Sequence, residues 1–346
     1  MSLLVLPTSL LCGEASVTKA ISELGEKKVI ELILDCLDVM PEIAVSFGDD
    51  VSAVSLEKDR LAVVKTDMLV GKTDVPSGMS LRQAARKAVV MNVSDFASKG
   101  VKPLVVLSSL GLPRSMTEAD VKQIGLGLND AAREYGAYVI GGDTNEACDL
   151  IISCSLLGFS DKKTLVRRSG ARAGDIVAVT GHFGKTAAGL KILLEGLPAS
   201  RTIWKALTDS VHTPKARLKE GLALAQTGAL TSSIDSSDGL AWSLHELSEA
   251  SNVGFTIDNV AVAEEATEFA REHALDPFDL ALYGGEEYEL VMTVNPNNWE
   301  KAREAVEELG TALTRIGRVT LERRIMLETN GGTRPIHRRG WEHFRN

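Results

Sequence analysis

Short apolar runs of strand character alternate with longer segments of helical period, and this alternation is what most limits the fold. Residues 61–65, 104–108, 138–140 and 151–157 have the length and β-branched content of strands. Between them, residues 80–97 and 117–135 carry apolar side chains at helical spacing. A second set follows, with strands expected at 176–180 and 290–294 and helices at 186–194, 215–225 and 299–309. The pattern predicts an α+β fold of two mixed domains. Residues 160–175 turn polar, with Asp161, Lys162, Lys163, Arg167 and Arg168, and read as a surface connection. The expected boundary near Phe159 gives domains 1–159 and 160–346; a chain of 346 residues with 44% apolar side chains can supply both with a core.

Several function classes are excluded early. No run approaches the ~20 apolar residues of a membrane span, and the apolar start from Leu3 to Leu6 is broken by Pro7 without a basic lead-in, so neither a membrane partner nor a secretory signal is expected. The four cysteines, Cys12, Cys36, Cys148 and Cys154, form no CxxC pair and read as reduced thiols of a cytoplasmic protein, most of them small core residues. A formal charge of -9 argues against a nucleic-acid surface.

Aspartates placed after apolar runs in small-residue company carry the functional signal. Asp49 and Asp50 follow Phe47 and Gly48; Asp67 follows Thr66; Asp143 follows Gly141 and Gly142. Asp95 sits in the helical segment Asn92-Val93-Ser94-Asp95, and Asp235 and Asp238 flank Ser236 and Ser237. Any one of these is a turn or a helix cap on its own. Together, and without accompanying His or Cys, they form a set of hard oxygen donors suited to Mg²⁺, Ca²⁺ or Mn²⁺. Gly184-Lys185-Thr186 resembles the end of a Walker A loop, but the glycine needed five residues earlier is Val179, so the segment reads as a tight strand-to-helix turn.

Ordered blocks from Ser46 to Phe344 resemble the thiamine-monophosphate kinases, within the aminoimidazole ribonucleotide synthetase superfamily. They are Gly48-Asp49-Asp50, Thr66-Asp67, Asn92-Val93-Ser94-Asp95, Gly141-Gly142-Asp143-Thr144, Arg168-Ser169-Gly170, Asp235 with Ser237-Asp238-Gly239-Leu240, Gly284-Gly285-Glu286-Glu287-Tyr288-Glu289-Leu290, and Gly340-Trp341-Glu342-His343-Phe344. The resemblance implies several Mg²⁺ ions held by Asp50, Thr66, Asp67, Asp95, Asp143, Asp235 and Asp238. It implies ATP contacts from Gly142, Asp143, Arg168 and Ser237, with Asp95, Asp143 and Arg168 as catalytic residues. Glu286 and Trp341 would border the thiamine site. A first-domain sheet would pair with its counterpart into a β-barrel in a homodimer, and the second domain would be an α/β sandwich-like body.

Two departures stand out: Lys65 occupies a position where the family often has a small hydroxyl residue, and Asp74 one where it often has a histidine near the substrate. Lys65 is expected to point outward from its strand, the alternative being an ammonium that replaces one cation near the triphosphate. The implied acceptor is a phosphate monoester, whose second pKa of about 6 leaves it ionised at neutral pH. No general base is then required, in keeping with six histidines that show no clustering. Rival readings are another ATP-dependent enzyme of the superfamily, or a dimer that binds MgATP without turnover. Relatives that make selenophosphate or mature hydrogenases use an N-terminal or a C-terminal Cys, whereas Cys12 has only Gly13 beside it and the sequence closes on Asn346.

Overall fold

The computed structural model describes residues 20–344. Cys12, the apolar start and Asn346 therefore lie outside the described residues. The chain forms two compact units, Met1–Met40 with Glu342–Asn346, and Pro41–Trp341. In the first, α1 (Ile21–Leu24) and α2 (Glu26–Leu34) meet at Gly25, whose φ of 74° makes the turn. The His343 N–H donates to the Glu26 carboxylate at 3.1 Å, which ties the tail segment to α2.

The second unit holds two sheets. Strands β1 (Ser52–Ser55) and β2 (Arg60–Val70) lead through the short α3 (Gly71–Asp74) to α4 (Leu81–Ser98), then β3 (Lys102–Leu112), α5 (Glu118–Glu134), β4 (Tyr138–Glu146) and β5 (Ile151–Asp161). These strands form an open five-stranded sheet in the order β1-β2-β5-β3-β4. Only the β3–β4 pair is parallel. Alternation along β2 sends Leu61, Val63 and Leu69 into the core beneath α4, while Val64 and Met68 face outward. Ser80 caps α4 in a reciprocal box with Gln83, and Thr117 caps α5 in the same way with Asp120. From Ala84 onward α4 is buried along most of its length.

The remaining elements are β6 (Ile176–Thr180), α6 (Lys185–Glu195), α7 (Arg201–His212), α8 (Leu218–Thr227), β7 (Leu230–Asp235), α9 (Leu240–Ser251), β8 (Gly254–Ile257), α10 (Glu264–Glu272), α11 (Pro277–Tyr283), β9 (Leu290–Val294), α12 (Trp299–Glu307), β10 (Leu313–Thr320), β11 (Ile325–Thr329) and β12 (Gly332–Pro335). Their strands form a mixed seven-stranded sheet, β12-β11-β8-β10-β6-β9-β7. Helix α8 crosses α4 at close range: a Cβ on Gly221 would lie 2.0 Å from the Ala97 carbonyl oxygen, so the crossing requires glycine. That contact seats α4 against the second half of the chain.

Among the described residues no helix is long and apolar enough to cross a membrane. The cysteines depart from expectation. Cys154 is buried, and burial pushes its thiol up to about 12, but Cys36 and Cys148 are exposed rather than core residues. Both lie where the chain leaves a regular element, in turns that carry no core face.

Candidate active site

Helix α4 delivers much of the site. Asp95 from α4, Asp50 from the turn before β1 and Asp235 from the end of β7 are all buried, and each presents a carboxylate oxygen within 4.8 Å of the others. Neighbours on α4 orient two of them. Ser94 Oγ donates to Asp235 Oδ2 at 2.6 Å, and Ser98 Oγ donates to Asp50 Oδ2 at 2.7 Å.

Fixed cations surround part of this cluster. The Lys99 ammonium, with no exposed side-chain surface, lies 2.7 Å from Asp49 Oδ1 and 2.8 Å from Asp50 Oδ2, and donates to the Ser233 carbonyl at 2.7 Å. Arg168 sends Nε to Asp50 Oδ1 at 2.6 Å and Nη1 to Glu246 Oε2 at 3.0 Å. Burial alone would raise the Asp50 pKa, but Arg168 and Lys99 outweigh it and hold the carboxyl below its ordinary range. Asp95 and Asp235 go the other way. Burial pushes Asp95 well up against the pull of Lys65, with Asp235 adding repulsion, and burial followed by the charge of Asp50 raises Asp235 to about 6.

Such crowding of like charges is relieved by a cation, and the donor set fits a hard divalent ion: oxygen ligands only, from several elements. Among the described residues three buried side-chain atoms have no hydrogen-bond partner: Ser233 Oγ on β7, and two next to the cluster, Ser236 Oγ, beside Asp235 in the chain, and Asn92 Oδ1, on the turn of α4 before Asp95. Buried polar atoms are nearly always paired, so these two mark a place where an ion, its water or a phosphate completes the bonding.

Lys65 does not point outward. Parity along β2 puts it on the core-facing side with Val63, and its ammonium lies 3.0 Å from Asp95 Oδ2 and 3.1 Å from Asp67 Oδ1. Thr66 takes the opposite face, where its hydroxyl donates to the Cys154 carbonyl at 3.1 Å and accepts from Ser155 Oγ at 2.9 Å. Asp143 is exposed on the edge strand β4 and lies outside the buried trio. Its neighbour Gly142 pairs with Ser108, and a Cβ there would come within 1.8 Å of the Ser108 carbonyl oxygen, so β4 can sit at this distance only with glycine.

The turn after β7 is laced to the segment after α11. Glu286 N–H donates to the Ser237 carbonyl at 2.6 Å, Tyr288 N–H to that of Ser236 at 3.0 Å, and Trp341 N–H to that of Asp238 at 3.2 Å. Glu286 and Tyr288 both take left-handed backbone angles, with φ of 62° and 53°. Non-glycine residues in that region carry strain that recurs at ligand sites. Asp74 Oδ2 accepts the Val70 N–H at 2.7 Å, and its carbonyl accepts Lys87 Nζ at 2.9 Å. Lys87 also pairs with Glu286 Oε1, so Asp74 and Glu286 converge on one buried ammonium. Trp341 is half exposed.

Sequence reading missed Lys87, Lys99 and Glu246. A signal for Lys87 exists: it lies in Ala84-Ala85-Arg86-Lys87-Ala88-Val89-Val90 on the face of α4 that later carries Ser94 and Ser98, where only a paired lysine can be buried.

The strand-to-helix turn at Gly184 is structural, as its spacing indicates, and the anion at the start of α6 is the protein's own. Glu287 Oε1 accepts the N–H groups of Gly184 at 2.7 Å and Thr186 at 3.0 Å. Burial nevertheless lifts Glu287 from its ordinary 4.5 to about 7. A carboxyl raised by folding contributes stability that is full below its unfolded pKa and is lost as pH rises through the folded one. Glu287→Gln keeps the acceptor oxygen without the charge. Its stability relative to the parent is therefore expected to grow by ~3 kcal/mol between acid and neutral pH, read from chemical unfolding below pH 4.5 and above pH 7. A difference that stays flat with pH rules the idea out.

Two family models match: AIR synthase related protein, N-terminal domain, over residues 48–160, and its C-terminal domain over residues 172–329. A thiamine-monophosphate kinase of Nitrosopumilus maritimus is 35% identical over 324 residues, covering 94% of this chain and 100% of the relative. One from Pyrococcus abyssi is 37% identical over 299 residues, covering 86% and 91%. Among solved structures, AaThiL complexed with AMPPCP and TMP superposes with a TM-score of 0.83 at 28% identity, over 95% of this chain and 100% of that one.

Proposed function

The chain belongs to the AIR synthase-related family and, within it, to the thiamine-monophosphate kinases; from that membership we propose that it moves the γ-phosphoryl group of ATP onto thiamine monophosphate by direct, in-line, multi-magnesium transfer. The observation that carries the reading is the buried trio Asp50, Asp95 and Asp235, with oxygens within 4.8 Å of one another. A relative of the same fold is described in complex with AMPPCP and TMP, an ATP analogue and an acceptor.

Asp50, Asp95 and Asp235 form the centre of the metal site, with Asp143, Asp238, the backbone at Thr66 and the Asp67 oxygen that Lys65 leaves open as further oxygen donors at its edge. Bound Mg²⁺ supplies the charge that screens two anionic phosphates and steadies the leaving and attacking oxygens. The protein's own groups then divide the work. Arg168, held between Asp50 and Glu246, offers one fixed guanidinium to the nucleotide. Gly142 and Ser237 give close backbone approach on either side. Glu286, fixed by Lys87, offers a carboxylate to the cationic thiamine, and the exposed Trp341 face offers stacking and a cation–π contact. No proton need be taken from an acceptor already ionised, so no side chain here acts as a general base.

A second copy of the chain completes the assembly as a homodimer. The open sheet exposes Val64, Met68, Leu104, Leu107, Tyr138 and Ile140, apolar side chains that a partner sheet would cover. Closure of two such sheets gives a shared barrel and removes the free edge at β4. The test is a turnover assay on the full chain with its mass read by light scattering. Thiamine diphosphate, ADP and inversion at the γ-phosphorus from a dimeric species are expected. A monomer without product, or a phosphorylated protein residue formed during turnover, would overturn the reading.

A further inference from the structure

The Lys65 side chain is the one cation that reaches the trio from the first sheet, and its placement differs in kind from that of Lys99 and Arg168. Those two ride on Asp49 and Asp50, on the side of the cluster turned to the Ser233 carbonyl and Glu246. Lys65 instead bridges two carboxylates that no other basic group among the described residues pairs with, Asp95 at 3.0 Å and Asp67 at 3.1 Å, from a side chain only 20% exposed. On the same face of β2 it stands between Val63, which is fully buried, and Asp67, so its stem packs against an apolar neighbour on one side and its ammonium meets a carboxylate on the other.

An ammonium has three N–H donors, and two of them are spent on these carboxylates. The ammonium sits about 3 Å from each oxygen, whereas Mg²⁺ demands about 2.1 Å to each ligand, so the present arrangement is set for an ammonium and not for a divalent ion. A divalent ion between Asp67 and Asp95 would have to displace the ammonium and draw the oxygens inward. We infer that Lys65 is a resident monovalent cation: it fills the Asp67–Asp95 position permanently, so this chain binds one divalent ion fewer than the same carboxylates would hold with a small residue at position 65. Asp235, which has Ser94 as a neutral donor, stays open to metal together with the free side of Asp95. The inference rests on reading the carboxylates as a metal site, and its test needs neither thiamine monophosphate nor turnover.

The experiment counts bound Mn²⁺ on the full chain from loss of the free-ion electron paramagnetic resonance signal, with no nucleotide present. Lys65→Ser and Lys65→Thr remove the ammonium and leave room; threonine also suits a strand position. Each is expected to bind about one more Mn²⁺ per chain than the parent, and to gain more thermal stability from added Mg²⁺ than the parent does. Lys65→Met keeps the volume without the charge and is expected to show no gain in count. An equal or lower count in both small-residue variants, with the fold verified by circular dichroism, overturns the inference. Failure of the kinase assay with an extra Mn²⁺ in Lys65→Ser would leave the inference standing and remove only the proposed reaction.

Discussion

Asp95→Asn is expected to leave the chain folded and to cut turnover of ATP with thiamine monophosphate by at least ~10²-fold, the scale of loss when one preorganised electrostatic group is removed. The argument turns on what surrounds the carboxyl. Asp95 is buried, with Asp235, Asp67 and Asp50 all repelling its charge, and Lys65 as its ion-pair partner. A neutral amide of the same size is therefore easy to accommodate, and the melting temperature should hold or rise. The proposed metal site, by contrast, loses a charged oxygen at the centre of the trio. Asp50→Asn is a poorer probe of the same idea, because it also strips Arg168 and Lys99 of their shared partner and mixes folding with function. Excess Mg²⁺ should recover only part of the Asp95→Asn loss. Near-native turnover of that variant at limiting Mg²⁺ would sink the metal assignment of Asp95.

The largest effect on stability is expected from Lys99→Met. Removing the ammonium withdraws a donor from Asp49, Asp50 and the Ser233 carbonyl at once, in a place with no route to water. Breaking a buried ion pair from one side costs about 3–5 kcal/mol, because the partner charge is left behind. The loss should be partly recovered by adding Asp49→Asn, which removes one of the stranded charges. Equilibrium unfolding in urea reads it directly. A loss below about 1 kcal/mol would mean that Arg168 and Ser98 suffice to hold Asp50, and that Lys99 is a spectator.

Much of the fold was legible where periodicity and burial agree. Strands β6 and β9 run from Ile176 to Thr180 and from Leu290 to Val294, as expected from their mainly apolar runs, because both are almost wholly buried and threonine, itself a good strand former, is the sole polar type in them. β7 was not, since Thr231, Ser232 and Ser233 have the composition of a loop. The first two hydroxyls are absorbed by partners distant in sequence: Thr231 donates to Asp175 at 2.7 Å, and Ser232 shares a 2.7 Å bond with Thr293. The same limit hid Lys99 and Lys87. A basic residue reads as surface until its buried acceptors are known, and those lie in other elements. Lys65 is a different matter: the spacing Leu61, Val63, Lys65, Asp67, Leu69 already put it on the inner face, and strand parity was the signal passed over.

α4 also acts as a ruler. Lys87, which holds Glu286, and Asp95, which stands among the carboxylates, are eight residues apart on one unbroken helix, or about 12 Å along its axis at ~1.5 Å per residue. On the roles proposed for Glu286 and Asp95, the span between the acceptor's cationic head and the metal cluster follows the backbone geometry of α4. An acceptor longer or shorter by more than an ångström or two between its head and its phosphate presents that phosphate off the line of transfer, however well either end is recognised. With those proposed roles, selectivity for acceptor length resides in the helix, and widening the range of acceptors calls for moving Glu286 rather than enlarging the pocket around it.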